Sequence, residues 1–220
     1  MSMYFDYKIK CGCCGTELIE RRLVSSICLG GNDLDSRLAH RYRNTMNFWV
    51  HVCPYCGYVS NQLEKSIHGF EDIVKSKEYL DCDGIITNKE LVKNFIRRAI
   101  ICSKLGDLKS EAFAYLHASW VCDDANEIET ARILRIKSEN ILYKLIYLDK
   151  QDNLDELLLI DIDLLRRTDQ YEEVIHRSSD FVEKIEDQRI KKALLFEVKK
   201  AKEKNNKRYK FAPGGGFVQI

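Results

Sequence analysis

Proline is scarce in this 220-residue chain: only Pro54 and Pro213 occur. Nearly everything between them is free of the residue that most strongly breaks a helix. Long apolar runs are missing as well, and none approaches the roughly eighteen residues of a membrane span. The stretch MSMYFDYKIK (1–10) has no apolar signal core, which points to a cytoplasmic protein. No P-loop, nucleophile elbow, HExxH pair or strand-borne GxGxxG appears, so the common motif-marked chemistries have no foothold. With 45% hydrophobic and 31% charged residues, the composition is globular rather than disordered.

Charge of one sign is missing where a nucleic-acid binder would need it. Residues 1–65 carry 8 basic and 6 acidic side chains, and residues 66–188 carry 17 and 26. Only residues 189–220, with 10 basic and 2 acidic, are strongly positive. A general phosphate-binding face would be basic across the main body.

Cysteine, by contrast, is plentiful. There are nine, an odd number with no export signal, which suits reduced thiols and a metal site better than disulfides. Four fall in two C-x-x-C pairs, Cys11 with Cys14 and Cys53 with Cys56, each followed by glycine. Two thiolates three apart on a tight turn can face one ion, and the glycine lets the backbone turn with positive φ. Two such pairs complete a tetrahedral shell of four sulfurs, the arrangement of one structural zinc. A redox dithiol is the competing reading, but no βαβ pattern surrounds either pair. Cys13 sits inside the first knuckle as a spare thiol. His51, two residues before Cys53, is a possible accessory ligand, although an ordinary strand residue is the simpler reading. Cys28, Cys82, Cys102 and Cys122 are isolated, and the last two read as small core residues on helices.

The chain divides by texture into an α+β architecture. YFDYKIK (4–10) alternates with period two and runs into Cys11; NFWVHV (47–52) does the same into Cys53. Each knuckle therefore ends a strand, the layout of a small zinc ribbon of antiparallel strands over residues 1–65. Residues 66–88 read as a linker. From residue 89 the spacing is helical. It predicts helices over 89–104, 108–122, 127–149, 153–167, 170–186 and about 188–205. The third carries a stripe of Ile128, Ala131, Leu134, Ile141, Leu145 and Leu148. Short turns between such helices make antiparallel hairpins over 89–210, and APGGGFVQI (212–220) ends the chain in a flexible tail from 211. LLRRTDQYEEVIHRSSDFV (164–182) resembles a tetratricopeptide (TPR) unit, with Leu165, Tyr171, Val174 and Phe181 at the packing positions and Thr168 or Asp169 in place of the turn glycine.

The order of these pieces resembles a bacterial family known as domain of unknown function 2225. The resemblance rests on CGCCG (11–15), RRLVSS (21–26), DLD (33–35), FWVHVCPYCGY (48–58), FAYLHASWVCDDA (113–125) and RRTDQYEE (166–173). It implies a zinc-bound N-terminal knuckle region and a TPR-like helical region, and no reaction. Gly12 stands where that family usually has proline, and His51 and Val52 are inserted before the second knuckle.

Three functional expectations follow. The first is a non-enzymatic adaptor whose helical repeats bind a protein partner while zinc is structural. The second is nucleic-acid binding through the ribbon and Lys199, Lys200 and Lys202 of the terminal helix. The third is an enzyme using Asp33 and Asp35, the closely spaced carboxylates between the knuckles. Their setting, GGNDLDS, is turn chemistry, which favours an Asx turn or cap over catalysis.

Overall fold

A computed structural model describes residues 2–148 and 154–220. The chain forms two compact units: residues 1–28 with 40–131, and residues 29–39 with 132–220. The described residues are mainly helical, with antiparallel strand pairs and connecting loops. Among the described residues no helix is long and apolar enough to cross a membrane.

The first unit begins with a hairpin, β1 (Met3–Lys10) and β2 (Glu17–Ser25), in the register Asp6–Arg21 and Lys10–Glu17. The first knuckle is its turn. Helix α1 (His40–Arg43) and a 3-10 turn (Met46–Phe48) lead to a second, much shorter hairpin, β3 (His51–Val52) and β4 (Val59–Ser60), which carries the second knuckle. The strand expected over 47–52 is thus reduced to two residues. Backbone bonds from Phe48 to Thr45 and from Trp49 to Met46 wind the rest into the 3-10 turn. Trp49 Nε1 also donates to Thr45 Oγ1 at 3.0 Å. The turned Trp49 ring meets His117 and Trp120 edge-on, at centroid distances of 5.1 and 6.4 Å.

His117 and Trp120 lie on α5 (Leu108–Asp124), the partner of α4 (Glu90–Lys104) in a helical hairpin. α4 buries Val92, Phe95, Ile96, Ala99 and Ile100, the i, i+3, i+4 stripe that makes one face of a helix apolar. Gly106, at φ 70°, ends it, and Asp107 caps α5 by accepting from Ser110 N at 3.0 Å. Cys82, Cys102 and Cys122 are buried, and Cys28 is exposed.

The helical hairpin therefore belongs with the knuckles, and the compact units differ from a division at residue 65. Residues 66–88 are not a bare linker either. They form α2 (Phe70–Lys75) and α3 (Lys77–Leu80), and Tyr79 on α3 donates its hydroxyl to Gly57 O at 2.7 Å.

The second unit holds α6 (Ile128–Tyr143) from Arg132 onward, a π-helical turn (Lys144–Leu148), α7 (Leu154–Arg167), α8 (Tyr171–Phe181) and α9 (Gln188–Lys202). The expected ends of the third and fourth helices, at 149 and 153, fall outside the described residues. On the predicted stripe, Ala131, Leu134, Ile141 and Leu145 are buried, whereas Ile128 in the opening turn is exposed. Of the four TPR-type positions, Leu165 and Val174 are fully buried and Tyr171 and Phe181 pack at the edge of the same cluster. Asp169 takes φ 67° after α7, a left-handed position that a short polar side chain tolerates where glycine is usual.

Two segments close this unit. Residues 29–39, expected in the ribbon, instead send Leu34 into its core. Leu34 N bonds Tyr209 O at 3.0 Å, and Phe211 N bonds Asn32 O at 2.9 Å. Gly31 is required there, since a Cβ would sit 1.9 Å from Phe211 O. The expected tail 211–220 also contributes structure: β5 (Tyr209–Phe211) pairs with β6 (Phe217–Gln219), and Phe217 stacks on Phe196 at 4.3 Å. Pro213, Gly214 and Gly215 make the hairpin turn rather than a free end.

Arg166 on α7 organises this unit. It is fully buried and pairs with Glu197 of α9 and, at 2.7 Å, with Asp163. It also donates to Asn205 O and Lys207 O at 3.0 and 2.7 Å, which ties the segment after α9 to α7. A guanidinium has five N–H donors in a rigid fork, and this geometry employs all three of its nitrogens. Removing one member of a buried ion pair strands the other at a cost of about 3–5 kcal/mol. Arg166→Met is expected to lower unfolding stability by about that amount at neutral pH. In the native fold burial raises the pKa of both Asp163 and Glu197 while Arg166 opposes it, so without Arg166 both carboxyls rise further and the folded variant binds protons more tightly than the native fold does. The loss should shrink as pH falls from 7 toward about 4. Urea titrations of both proteins across that range measure it.

Candidate metal centre

The two knuckles have the same local geometry. In the first, Cys11 N bonds Thr16 O at 3.0 Å and Gly15 N bonds Cys11 O at 2.9 Å. In the second, Cys53 N bonds Tyr58 O at 2.8 Å and Gly57 N bonds Cys53 O at 2.9 Å. Gly15 and Gly57 share φ 74°, a left-handed conformation costly for a residue with a Cβ. In each pair the first cysteine is fully buried and the second is more accessible.

Those matched turns face each other. The ligand atoms of Cys11, Cys14, Cys53 and Cys56 all lie within 4.8 Å of one another. Cys11 Sγ is 3.9 Å from Cys56 Sγ, and Cys14 Sγ is 3.7 Å from Cys53 Sγ. A tetrahedron with metal–sulfur bonds of about 2.3 Å has sulfur–sulfur edges of about 3.8 Å. Four sulfurs at these spacings can hold one metal ion, and the set is compatible with structural zinc.

What fixes the separation is the packing of the first turn on the chain after β4. Gly12 N donates to Leu63 O at 2.8 Å, and a Cβ on Gly12 would lie 2.4 Å from Glu64 O and 2.5 Å from Ser66 N. This position therefore needs both an N–H and no side chain. That explains glycine here and excludes proline, which lacks the donor.

The thiols differ in their readiness to ionise. The Thr16 hydroxyl, 3.3 Å from Cys14 Sγ, and the Thr16 backbone hold Cys14 down to about 6. Burial pushes the Cys11 and Cys56 thiols up. It raises the Cys13 thiol as well, to about 11. A bound cation would reverse that burial penalty by ionising the ligands outright.

The remaining candidates lie elsewhere. Cys13 is half-buried and outside the four-sulfur cluster. His51 turns to Glu20, with Nε2 3.9 Å from Oε1, and burial lowers its pKa. It does not join the sulfurs. Asp33 and Asp35 belong to the second unit. Asp35 accepts from Arg37 N at 3.2 Å, an Asx-type turn, and from Arg167 Nη1 at 3.1 Å. Asp33 lies 3.9 Å from Arg208 Nε and bridges to Lys210 in the backbone. Both are buried in ion pairs. On α9, Lys199 and Lys202 are exposed, but Lys200 pairs with Glu203 at 2.7 Å and lies over Phe196 and Tyr209.

No family model, curated protein or solved structure matches the chain. The chemistry of the centre thus rests on its own geometry. Sequence reading missed the parts played by Gly12 and Thr16. Aligning CGCCGT with CPYCGY would have put Thr16 opposite Tyr58, at the residue whose carbonyl closes each turn.

Serine at any one of Cys11, Cys14, Cys53 or Cys56 should reduce bound metal well below one ion per chain, whereas Cys13→Ser should leave it at one. Elemental analysis after dialysis against a weak chelator makes the comparison. Gly12→Ala should lower metal retention with all four thiols intact, because the first turn must back away from Glu64.

Proposed function

We propose that this chain is a non-catalytic adaptor, in which a zinc ribbon is held by one structural zinc ion and TPR-like helices bind a protein segment. The convergence of Cys11, Cys14, Cys53 and Cys56 carries the zinc reading. A shell of four thiolates leaves no coordination position for a reacting water, so the metal's role is to stabilise the fold. Reduced thiols in this number suit a cytoplasmic setting. The resemblance of the motif order to domain of unknown function 2225 accords with the same reading.

The adaptor half rests on a cleft of about 410 Å³ between the start of α8 and the end of α9. It is lined by Asp169, Tyr171, Glu172 and Ile175 from the start of α8 and the turn before it, and by Ala201, Lys202 and Lys204 from the end of α9 and just after it. Acidic and basic groups beside Ile175 and Ala201 suit a segment with a hydrophobic anchor and charges of both signs. Asp33 and Asp35, each held by an arginine, favour a structural role over acid–base work.

Affinity capture with the whole chain tests this against nucleic-acid binding. A protein partner should be retained by the native chain and by Lys199→Ala. It should weaken about tenfold or more with Ile175→Asp or Lys202→Glu, at unchanged zinc content. Binding that follows only the lysines and collapses steeply with salt would identify nucleic acid instead. A partner indifferent to both cleft substitutions would overturn the adaptor reading.

A further inference from the structure

The β1–β2 hairpin leaves one long edge open. β2 packs against the 3-10 turn at 46–48, and Arg22 pairs with Glu20 and Glu64. Among the described residues, β1 pairs with β2 alone. Seven of its eight residues are exposed, including Met3 at 52%, Phe5 at 53% and Tyr7 at 42%. A strand of this length with bare N–H and C=O groups on its outer side is a template for another strand, and proteins usually blunt such edges. Proline is absent from β1, and its one register shift lies at the Met3 end.

The charges on β1 select the occupant. Asp6, Lys8 and Lys10 alternate with Phe5, Tyr7 and Ile9. When this strand meets its own copy antiparallel, the register is set by the residue on the two-fold axis. Placing Asp6 or Lys8 on the axis opposes like charges. Placing Tyr7 there sets Asp6 opposite Lys8 twice, Phe5 opposite Ile9 twice, and the two Tyr7 rings together. Asp6 already pairs with Arg21 at 2.7 Å, and Lys8 with Glu17 at 2.7 Å. The symmetric pairing extends this into a row of three charges of alternating sign, Arg21, Asp6 and Lys8 of the second copy, with Glu17 of that copy diagonal to its Lys8. Opposite charges directly across a sheet favour a register, and like charges disfavour it.

We propose that this protein forms a two-fold homodimer by antiparallel pairing of β1 with β1 of a second copy, centred on Tyr7, giving a continuous four-stranded sheet. This goes beyond the adaptor reading and does not depend on it.

Sedimentation of the metal-loaded 220-residue chain tests the proposal. The native protein should show a concentration-dependent dimer. Asp6→Lys alone sets lysine against Lys8, and Lys8→Asp alone sets aspartate against Asp6. Each should weaken dimerisation about tenfold or more. An equimolar mixture of the two variants should recover association as a heterodimer, and the double exchange Asp6→Lys with Lys8→Asp should recover the homodimer. Asp6→Lys also meets Arg21, and Lys8→Asp also meets Glu17, within one hairpin; both pairs are exposed and such pairs contribute little, so metal content and circular dichroism should be native in every variant and serve as the check that the hairpin is kept. A monomeric native protein would overturn the proposal. So would single variants that dimerise like the native chain, or a mixture that fails to associate.

Discussion

Convergence of four sulfur atoms is the constraint on which the first unit depends. β3 and β4 are two residues each, far too short to persist as an isolated hairpin. What holds them in place is covalent chain geometry at one end and a shared centre at the other. Each knuckle presents two thiols in a turn closed by two backbone bonds, and the turns are copies of one another in bond pattern and glycine conformation. An ion bound by all four joins residues separated by 38 intervening positions, a loop whose closure is otherwise an entropic loss. Structural zinc has an apparent binding energy of order 10–16 kcal/mol in small metal-dependent domains, ample to offset that loss. The aromatic contact of Trp49 with Trp120 and His117 then fastens the second knuckle to the α4–α5 hairpin.

The second unit meets a similar demand with different chemistry. α7 is buried on all sides from Leu157 to Arg166, yet its sequence LLLIDIDLLR includes two aspartates and an arginine. Buried charges persist only when paired and hydrogen-bonded. Asp163 meets Arg166, and Asp161 meets Arg177 at 3.0 Å. Arg177 also reaches Glu139 and Glu173, at 2.8 and 2.7 Å. Each arginine thus gathers carboxylates from different helices. Nonspecific apolar burial would let α7, α8 and α9 slide past one another, whereas these pairs are satisfied in one arrangement.

The legible parts of the sequence were those written in local spacing. Both C-x-x-C pairs, β1, and the starts of α4, α5, α8 and α9 follow from positions a few residues apart, because helical and strand periods and turn chemistry act over that range. What was illegible depends on partners far along the chain. GGNDLDS reads as an isolated turn, and nothing local says that Leu34 enters the core beside Tyr209 or that Asp35 pairs with a residue 132 positions away. Nor does spacing reveal that Gly12 is pressed against Glu64. The tail was misread for a related reason. APGGG marks a turn equally well in a free end or a hairpin, and only the packing of Phe217 on Phe196 decides between them.

The uneven charge of the sequence takes on a different meaning in the folded chain. The basic segment 189–220 looks like a surface awaiting phosphate, but several of its cations have internal work. Arg208 lies beside the buried Asp33, and Lys191 pairs with Glu183. Lys200 covers Phe196 and Tyr209, and Arg189 covers Phe211. A cation resting on an aromatic face inside its own chain must give up that contact, and part of its ion pairing, before it serves a phosphate. The acidic middle of the chain supplies partners such as Glu183 for this segment. Part of the basic excess is therefore engaged within the chain, and Lys200 and Arg189 of α9, resting on Tyr209 and Phe211, help hold the C-terminal hairpin on α9.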